Sequence, residues 1–164
     1  MDTPILASLY RGRTSKVAVA LAAALFAAAV LLSAPALAKF VQGTAGPDTL
    51  RGTDKADLID ARGGNDSATA LSGDDTVLLG PGDDTGRGGD GNDVIRGSGG
   101  SDIINGGLGE DRLSGGQGDD TIRTGGDDRK SDEVNCGPGD DTVFLSANDH
   151  SKNNLGGCEH VESV

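Results

Sequence analysis

The chain has 164 residues and sets 26 aspartate and glutamate side chains against 14 lysine and arginine, a formal net charge of −12. So acidic a chain repels nucleic-acid phosphates as it repels itself, which excludes a DNA or RNA partner. With 28 glycines against three phenylalanines, one tyrosine and no tryptophan, it also excludes an ordinary globular core and an aromatic base-stacking surface.

At the amino terminus Arg11, Arg13 and Lys16 precede an unbroken apolar run from Val17 to Leu32. Ser33, Ala34, Pro35 and then Ala36-Leu37-Ala38 follow. This order predicts a Sec-type export signal over residues 1–38, with cleavage between Ala38 and Lys39. The run is near the length at which a membrane anchor becomes possible, and a retained anchor is the alternative. Either outcome places the remainder outside the cytoplasm, and the expected location is secreted or extracellular. Gly12 separates Arg11 from Arg13, so the twin-arginine pair is absent.

From Gly43 to Arg123 the chain divides into nines without an insertion. The sixth position of each nine is Asp48, Asp57, Asp66, Asp75, Asp84, Asp93, Asp102, Asp111 and Asp120. The fourth is Gly46, Gly64, Gly73, Gly82, Gly91, Gly100, Gly109 and Gly118, interrupted by Lys55. The eighth is Leu50, Ile59, Ala68, Val77, Gly86, Ile95, Ile104, Leu113 and Ile122. One unit is then stretched by three residues, and the frame resumes at Asp132 and Val134, then Asp141 and Val143.

A period this short predicts a solenoid in which each unit is stabilised by its neighbours. The last three residues of a unit, such as Val94-Ile95-Arg96, suit a very short strand with its middle side chain inward. The first six, such as Gly88 to Asp93, suit a glycine-rich turn. The chain then reverses once per unit, and residues eighteen apart stack at the ~4.8 Å strand spacing. The aspartates form two columns: Asp48, Asp66, Asp84, Asp102 and Asp120 on one edge, and Asp57, Asp75, Asp93 and Asp111 on the other. Like charges at that spacing call for a cation between coils. Calcium fits, because it takes six to eight hard oxygen ligands in flexible geometry, whereas magnesium is smaller and holds its water.

The units Gly88 to Arg96, Gly106 to Ser114 and Gly115 to Arg123 resemble the RTX, or haemolysin-type, calcium-binding nonapeptide at nearly every position. The resemblance spans roughly residues 43–144. It implies an all-β parallel β-roll that binds several calcium ions between the turns of alternate units. Carried over position by position, the ligands are Asp75, Asp84, Asp93, Asp102, Asp111 and Asp120, with backbone oxygens at Gly82, Gly91, Gly100, Gly109 and Gly118. Asp48, Asp57, Asp66, Asp132 and Asp141 stand in less well matched units. Those starting at Gly43, Gly52, Ala61 and Ala70 lack the initial glycine pair.

Cys136 and Cys158 are the only cysteines, and in an oxidising compartment an even count favours a disulfide over two independent thiols. Together with His150 and His160 they lack the paired spacing of a zinc site. The segment from Cys136 to Val164 resembles the disulfide-closed cap of small Sec-exported relatives, which divides the exported part into a roll over residues 39–144 and a cap over 145–164, and Phe144, Leu145, Val161 and Val164 are the candidates for covering the last coil. The open first coil near Phe40 and Val41 is a candidate association edge. Many RTX proteins are toxins or proteases with a carboxy-terminal export signal; here the signal stands at the other end.

Ala68 and Gly86 fall in one inward column between Leu50 and Ile104, and a weak, underfilled middle is expected there. Asp54, Asp60, Asp74, Asp83, Asp119 and Asp140, outside the sixth position, read as solvated charges or turn-formers. Gly86 to Gly91 matches GxGxxG formally, but acids surround it and no helix-forming segment follows. Asn65-Asp66-Ser67 is a sequon inside a repeat turn, and the bidentate glutamate of an EF-hand is missing. With signal, repeats and cap assigned, no stretch is left for a catalytic domain, and a non-enzyme is expected. The leading function is a calcium-dependent structural or adhesive module, with a cell-surface or matrix partner and an oligomeric state that no motif specifies. The alternatives are an ice- or crystal-binding solenoid, for which Thr49, Ser67, Thr85 and Thr121 would stack outward beside Arg51, Arg87, Arg123 and Ile103, or a fragment-like relative of a larger toxin or hydrolase.

Overall fold

The nine-residue period is realised as a right-left alternation between two parallel sheets. A computed structural model describes residues 38–126, 129–147 and 155–163; the predicted export signal, His150 and Val164 lie outside them. Thirteen strands occur among the described residues. They are β1 (Phe40–Gln42), β2 (Thr49–Arg51), β3 (Leu58–Asp60), β4 (Ser67–Ser72), β5 (Thr76–Pro81), β6 (Thr85–Asp90) and β7 (Val94–Gly99), followed by β8 (Ile103–Leu108), β9 (Arg112–Gln117), β10 (Thr121–Gly125), β11 (Glu133–Asn135), β12 (Thr142–Leu145) and β13 (His160–Ser163). One sheet runs β1-β3-β5-β7-β9-β11 and the other β13-β12-β10-β8-β6-β4-β2. From β1 to β12 successive strands thus go to opposite sheets, and two units make one coil of an all-strand β-solenoid of about six turns; β13 joins β12 in the same sheet.

Register follows the frame. Ile59 pairs with Val77, Val77 with Ile95 and Ile95 with Leu113 on one side. Leu50 pairs with Ala68, Ala68 with Gly86 and Gly86 with Ile104 on the other. The three-residue insertion is absorbed between β10 and β11, after which Leu113 meets Val134 and Ile122 meets Val143.

Two expectations need correction. From β4 to β9 the strands hold six residues rather than three, because pairing continues into the second and third positions of the next unit, as in Leu71 with Gly89 and Ser72 with Asp90. The extra length follows from identical neighbours: a coil in the same frame offers partners beyond the ninth residue. Alternation then carries the first position inward as well, so Ala61, Ala70, Leu79, Cys136 and Leu145 join the eighth-position aliphatics in the core. The underfilling expected at Gly86 is the second correction. A Cβ on Gly86 would lie 3.0 Å from Leu79 Cδ1 and 3.3 Å from Ile95 Cγ2, so the space that Gly86 leaves is filled by the fully buried Leu79.

The carboxy-terminal segment supplies one more rung. β13 lies parallel to β12 with Val161 beside Val143, and Asn135 bridges to Gly156. Cys136 and Cys158 form a disulfide with their Cα atoms 5.2 Å apart. Leu145 is buried, whereas Val161 is 47% exposed on the open face of the last rung. At the other end Phe40 is 58% exposed.

Candidate metal centres

Each sixth-position aspartate sits where a turn enters a strand, and alternation aims its side chain inward. Asp57, Asp66, Asp75, Asp84, Asp93, Asp102, Asp111, Asp120, Asp132 and Asp141 are all buried. Every one is pinned by its Oδ1, which accepts the backbone N–H of a residue one coil earlier. Asp75 Oδ1 receives Asp57 N at 2.6 Å, Asp93 Oδ1 receives Asp75 N at 2.9 Å, and Asp102 Oδ1 receives Asp84 N at 2.9 Å. Asp111 and Asp120 receive Asp93 N and Asp102 N, while across the insertion Asp132 and Asp141 receive Asp111 N and Asp120 N.

The second carboxylate oxygen is the telling one. Oδ2 of Asp66, Asp75, Asp84, Asp93, Asp102, Asp120 and Asp141 is buried and has no hydrogen-bond partner. A buried carboxylate oxygen without a donor is costly, and a repeated set of them calls for a compensating charge. The electrostatics agree. Desolvation pushes the carboxyls of Asp75, Asp93 and Asp120 up to about 6 and that of Asp102 to about 7. The backbone N–H bond opposes the rise, and neighbouring carboxylates in the column add to it. Asp102 has Asp84 and Asp120 on its two sides. Asp84 and Asp141 move upward for the same first reason, loss of solvent.

Backbone oxygens complete the setting. A Cβ placed on Gly88 would collide with Asp93 Oδ2 and with the carbonyl oxygen of Gly106 one coil on. The space that a side chain would occupy is therefore lined by a carboxylate and a carbonyl oxygen. Gly97, Gly106 and Gly115 repeat the arrangement with Asp102, Asp111 and Asp120. At the fourth position Gly91 has φ +138°, and a Cβ there would strike the carbonyl oxygen of Gly73, so only glycine fits. Gly82, Gly100, Gly109 and Gly118 stack in the same way on the carbonyls of Gly64, Gly82, Gly91 and Gly100. Among the described residues no three histidine, cysteine or acidic side chains gather into a metal cluster. The donors come instead as single carboxylates among carbonyls, a hard oxygen set that suits calcium.

The residues expected from the repeat thus come together, with distinctions the repeat did not disclose. The first-position glycines Gly88, Gly97, Gly106 and Gly115 bound the cradles, and their signal was the initial Gly of the best-matched units. Arg62, Leu71 and Ser98 hold φ of +78°, +94° and +95° at the second position where other units carry glycine, so the turn persists against the steric preference of those side chains. Asp74, Asp83 and Asp119 are more than solvated charges: their Oδ1 atoms accept N–H from Asn92, Ser101 and Asp140 on the next coil. Glu159 takes a sixth-position role that the sequence did not reveal, its Oε2 accepting Asp141 N at 3.0 Å.

The model of the RTX calcium-binding nonapeptide repeat, which spans four copies, matches residues 42–77, 79–113 and 107–129. No curated protein and no solved structure matches the chain.

Proposed function

We propose, from the premise that this chain belongs to the RTX calcium-binding nonapeptide repeat family, that it is an exported, non-catalytic calcium-binding module whose folding and metal loading are one equilibrium. The carrying observation is the set of buried Oδ2 atoms that lack a donor. Asp75, Asp84, Asp93, Asp102, Asp111 and Asp120 are the principal acidic ligands. The units headed by Gly88, Gly97, Gly106 and Gly115 are the best formed, since in each a buried aspartate's Oδ2 stands nearest the bare first position, closer to a Cβ built there than the 2.8 Å found at Gly43 and Gly52. Asp66, Asp132 and Asp141 extend the two columns. Bound calcium supplies positive charge and accepts carboxylate and carbonyl oxygens together.

Export is supported by the basic and apolar order of residues 1–38. Cleavage after Ala38 would turn Lys39 N, which lies 2.5 Å from Asp57 Oδ1, into a charge-assisted donor. A structural or adhesive role at the cell surface is supported by the acidic, repeated exterior. Removing calcium leaves a strongly acidic, glycine-rich chain whose ordering costs more entropy than its small core offsets. Calorimetric titration of the exported protein, followed by circular dichroism and hydrodynamic radius, tests this reading. Calcium should bind at several sites, raise β content and compact the chain, and magnesium at equal concentration should not. A chelated protein that stays compact and β-rich would overturn it.

A further inference from the structure

The first two units differ from most of the others in how they treat their aspartate. Asp48 Oδ2 accepts the Thr44 backbone N–H at 2.6 Å and the Thr44 hydroxyl at 2.9 Å. Asp57 Oδ2 accepts the Thr53 N–H at 2.5 Å and the Thr53 hydroxyl at 2.9 Å. These are the oxygens that remain without donors at Asp66, Asp75, Asp84, Asp93, Asp102, Asp120 and Asp141.

The turn backbone differs independently. In every later unit from Arg62 to Gly137 the second position has positive φ, including the non-glycine residues Arg62, Leu71 and Ser98; Thr44 and Thr53 do not. The fourth position has positive φ from Gly64 to Gly118, and Gly46 and Lys55 do not. The carbonyls differ accordingly. The atom nearest a Cβ on Gly82, Gly91, Gly100, Gly109 or Gly118 is a carbonyl oxygen of the coil before. For Gly64 and Gly73 it is instead the carbonyl carbon of Gly46 or Lys55. The first two turns therefore lack a vacant carboxylate oxygen and the aligned fourth-position carbonyl oxygens, although the carbonyl oxygens of Ala61 and Ala70 still face their first positions beside Asp48 Oδ2 and Asp57 Oδ2.

We infer that the first two units are closed by threonine instead of metal: Thr44 and Thr53 donate to Asp48 and Asp57 where later units use a cation, and the metal-binding ladder begins no earlier than Asp66. The inference rests on the calcium reading above and sharpens it, by dividing one repeat array into a hydrogen-bonded start and a metal-stapled remainder. It also explains why Thr follows Gly43 and Gly52: an N–H and a hydroxyl on one residue satisfy the same carboxylate oxygen twice, which glycine cannot do.

Two measurements on the full chain decide it. Native mass spectrometry counts calcium ions bound to the parent, to a double variant Asp48→Asn with Asp57→Asn, and to Asp102→Asn. The double variant should carry the parental number of ions, and Asp102→Asn should carry fewer. Loss of ions from the double variant would overturn the inference. Should that variant fail to fold, calcium anomalous scattering from crystals of the parent locates the ions directly. Peaks should lie among the turns from Asp66 onward, and a peak at Asp48 Oδ2 or Asp57 Oδ2 would overturn it. A parent that binds no calcium removes the calcium reading itself, an outcome distinct from an ion in the wrong turns.

Discussion

Leu79 and Gly86 illustrate how a missing side chain in one column is compensated from another. Gly86 interrupts the inward row between Ala68 and Ile104, and Leu79 enters that space from the first position of its unit. Leu79→Ala should therefore destabilise the calcium-loaded protein by about 2–5 kcal/mol, the range for emptying a fully buried leucine site. Gly86→Ala alone must displace Leu79 slightly, but in the Leu79→Ala background its methyl enters the vacated volume. Thermal denaturation of the two single variants and the double variant should give a smaller loss than the two singles predict by addition. The sixth and eighth positions were readable because each keeps one chemical character along the chain. The first position was not, since it ranges from Gly88 to Leu79 to Thr124 and shows no hydrophobic period, although all of these residues are buried. The threonine closure was equally invisible: Thr44 and Thr53 look like ordinary turn residues until their donors are seen on Asp48 and Asp57.

Among the described strands, β13 is the one with every residue exposed. It pairs only with β12, and its inward Val161 is half exposed, so little burial secures it. The Cys136–Cys158 bridge ties it to a buried first-position residue across 22 positions, and a loop of that size corresponds to about 3 kcal/mol of chain entropy. Reduction, or Cys158→Ser, should speed hydrogen exchange over residues 155–163 while leaving β5 to β9 protected at saturating calcium. Equal loss of protection in both regions would show that the bridge supports the whole array. The existence of this rung was hidden because its sixth position is Glu159 and no aspartate marks the frame. Strand number and register across β2 to β12, by contrast, followed from counting in nines, since a parallel stack of equal units admits one alignment of its inward rows.

For the whole molecule, proton and calcium compete for the same buried carboxylates. Asp75, Asp93, Asp102 and Asp120 have metal-free folded values of about 6 to about 7, above the ordinary 3.8, so the folded apo form binds more protons than the unfolded chain between these limits. Stability from these groups is present below the unfolded value and is lost as pH rises through about 6 to 7. In chelator, acidification from neutrality should thus increase compaction and β content. In calcium, the same acidification should raise the calcium midpoint to the extent that it compacts the metal-free chain, because calcium must then displace protons held by the folded carboxyls. Circular dichroism titrations at several pH values read both effects, and a chain that compacts on acidification without any rise in its calcium midpoint would contradict the assignment of these groups as ligands.

Residues eighteen apart in sequence are adjacent rungs in space, and that ratio makes the molecule an unusual mechanical object. Pulled by its ends, a coil that occupies ~4.8 Å of axis would release a length on the order of 60 Å of extended chain. The bonds resisting the pull lie along the axis, so rungs would peel away one after another from whichever end yields first. Single-molecule stretching should give a regular sawtooth in calcium and a featureless slack chain in chelator. The disulfide, by fixing Cys136 to Cys158, withholds the intervening chain from that extension. Such a strap would lengthen many-fold under load and rewind when the load falls, with the surrounding calcium concentration setting the force at which it gives.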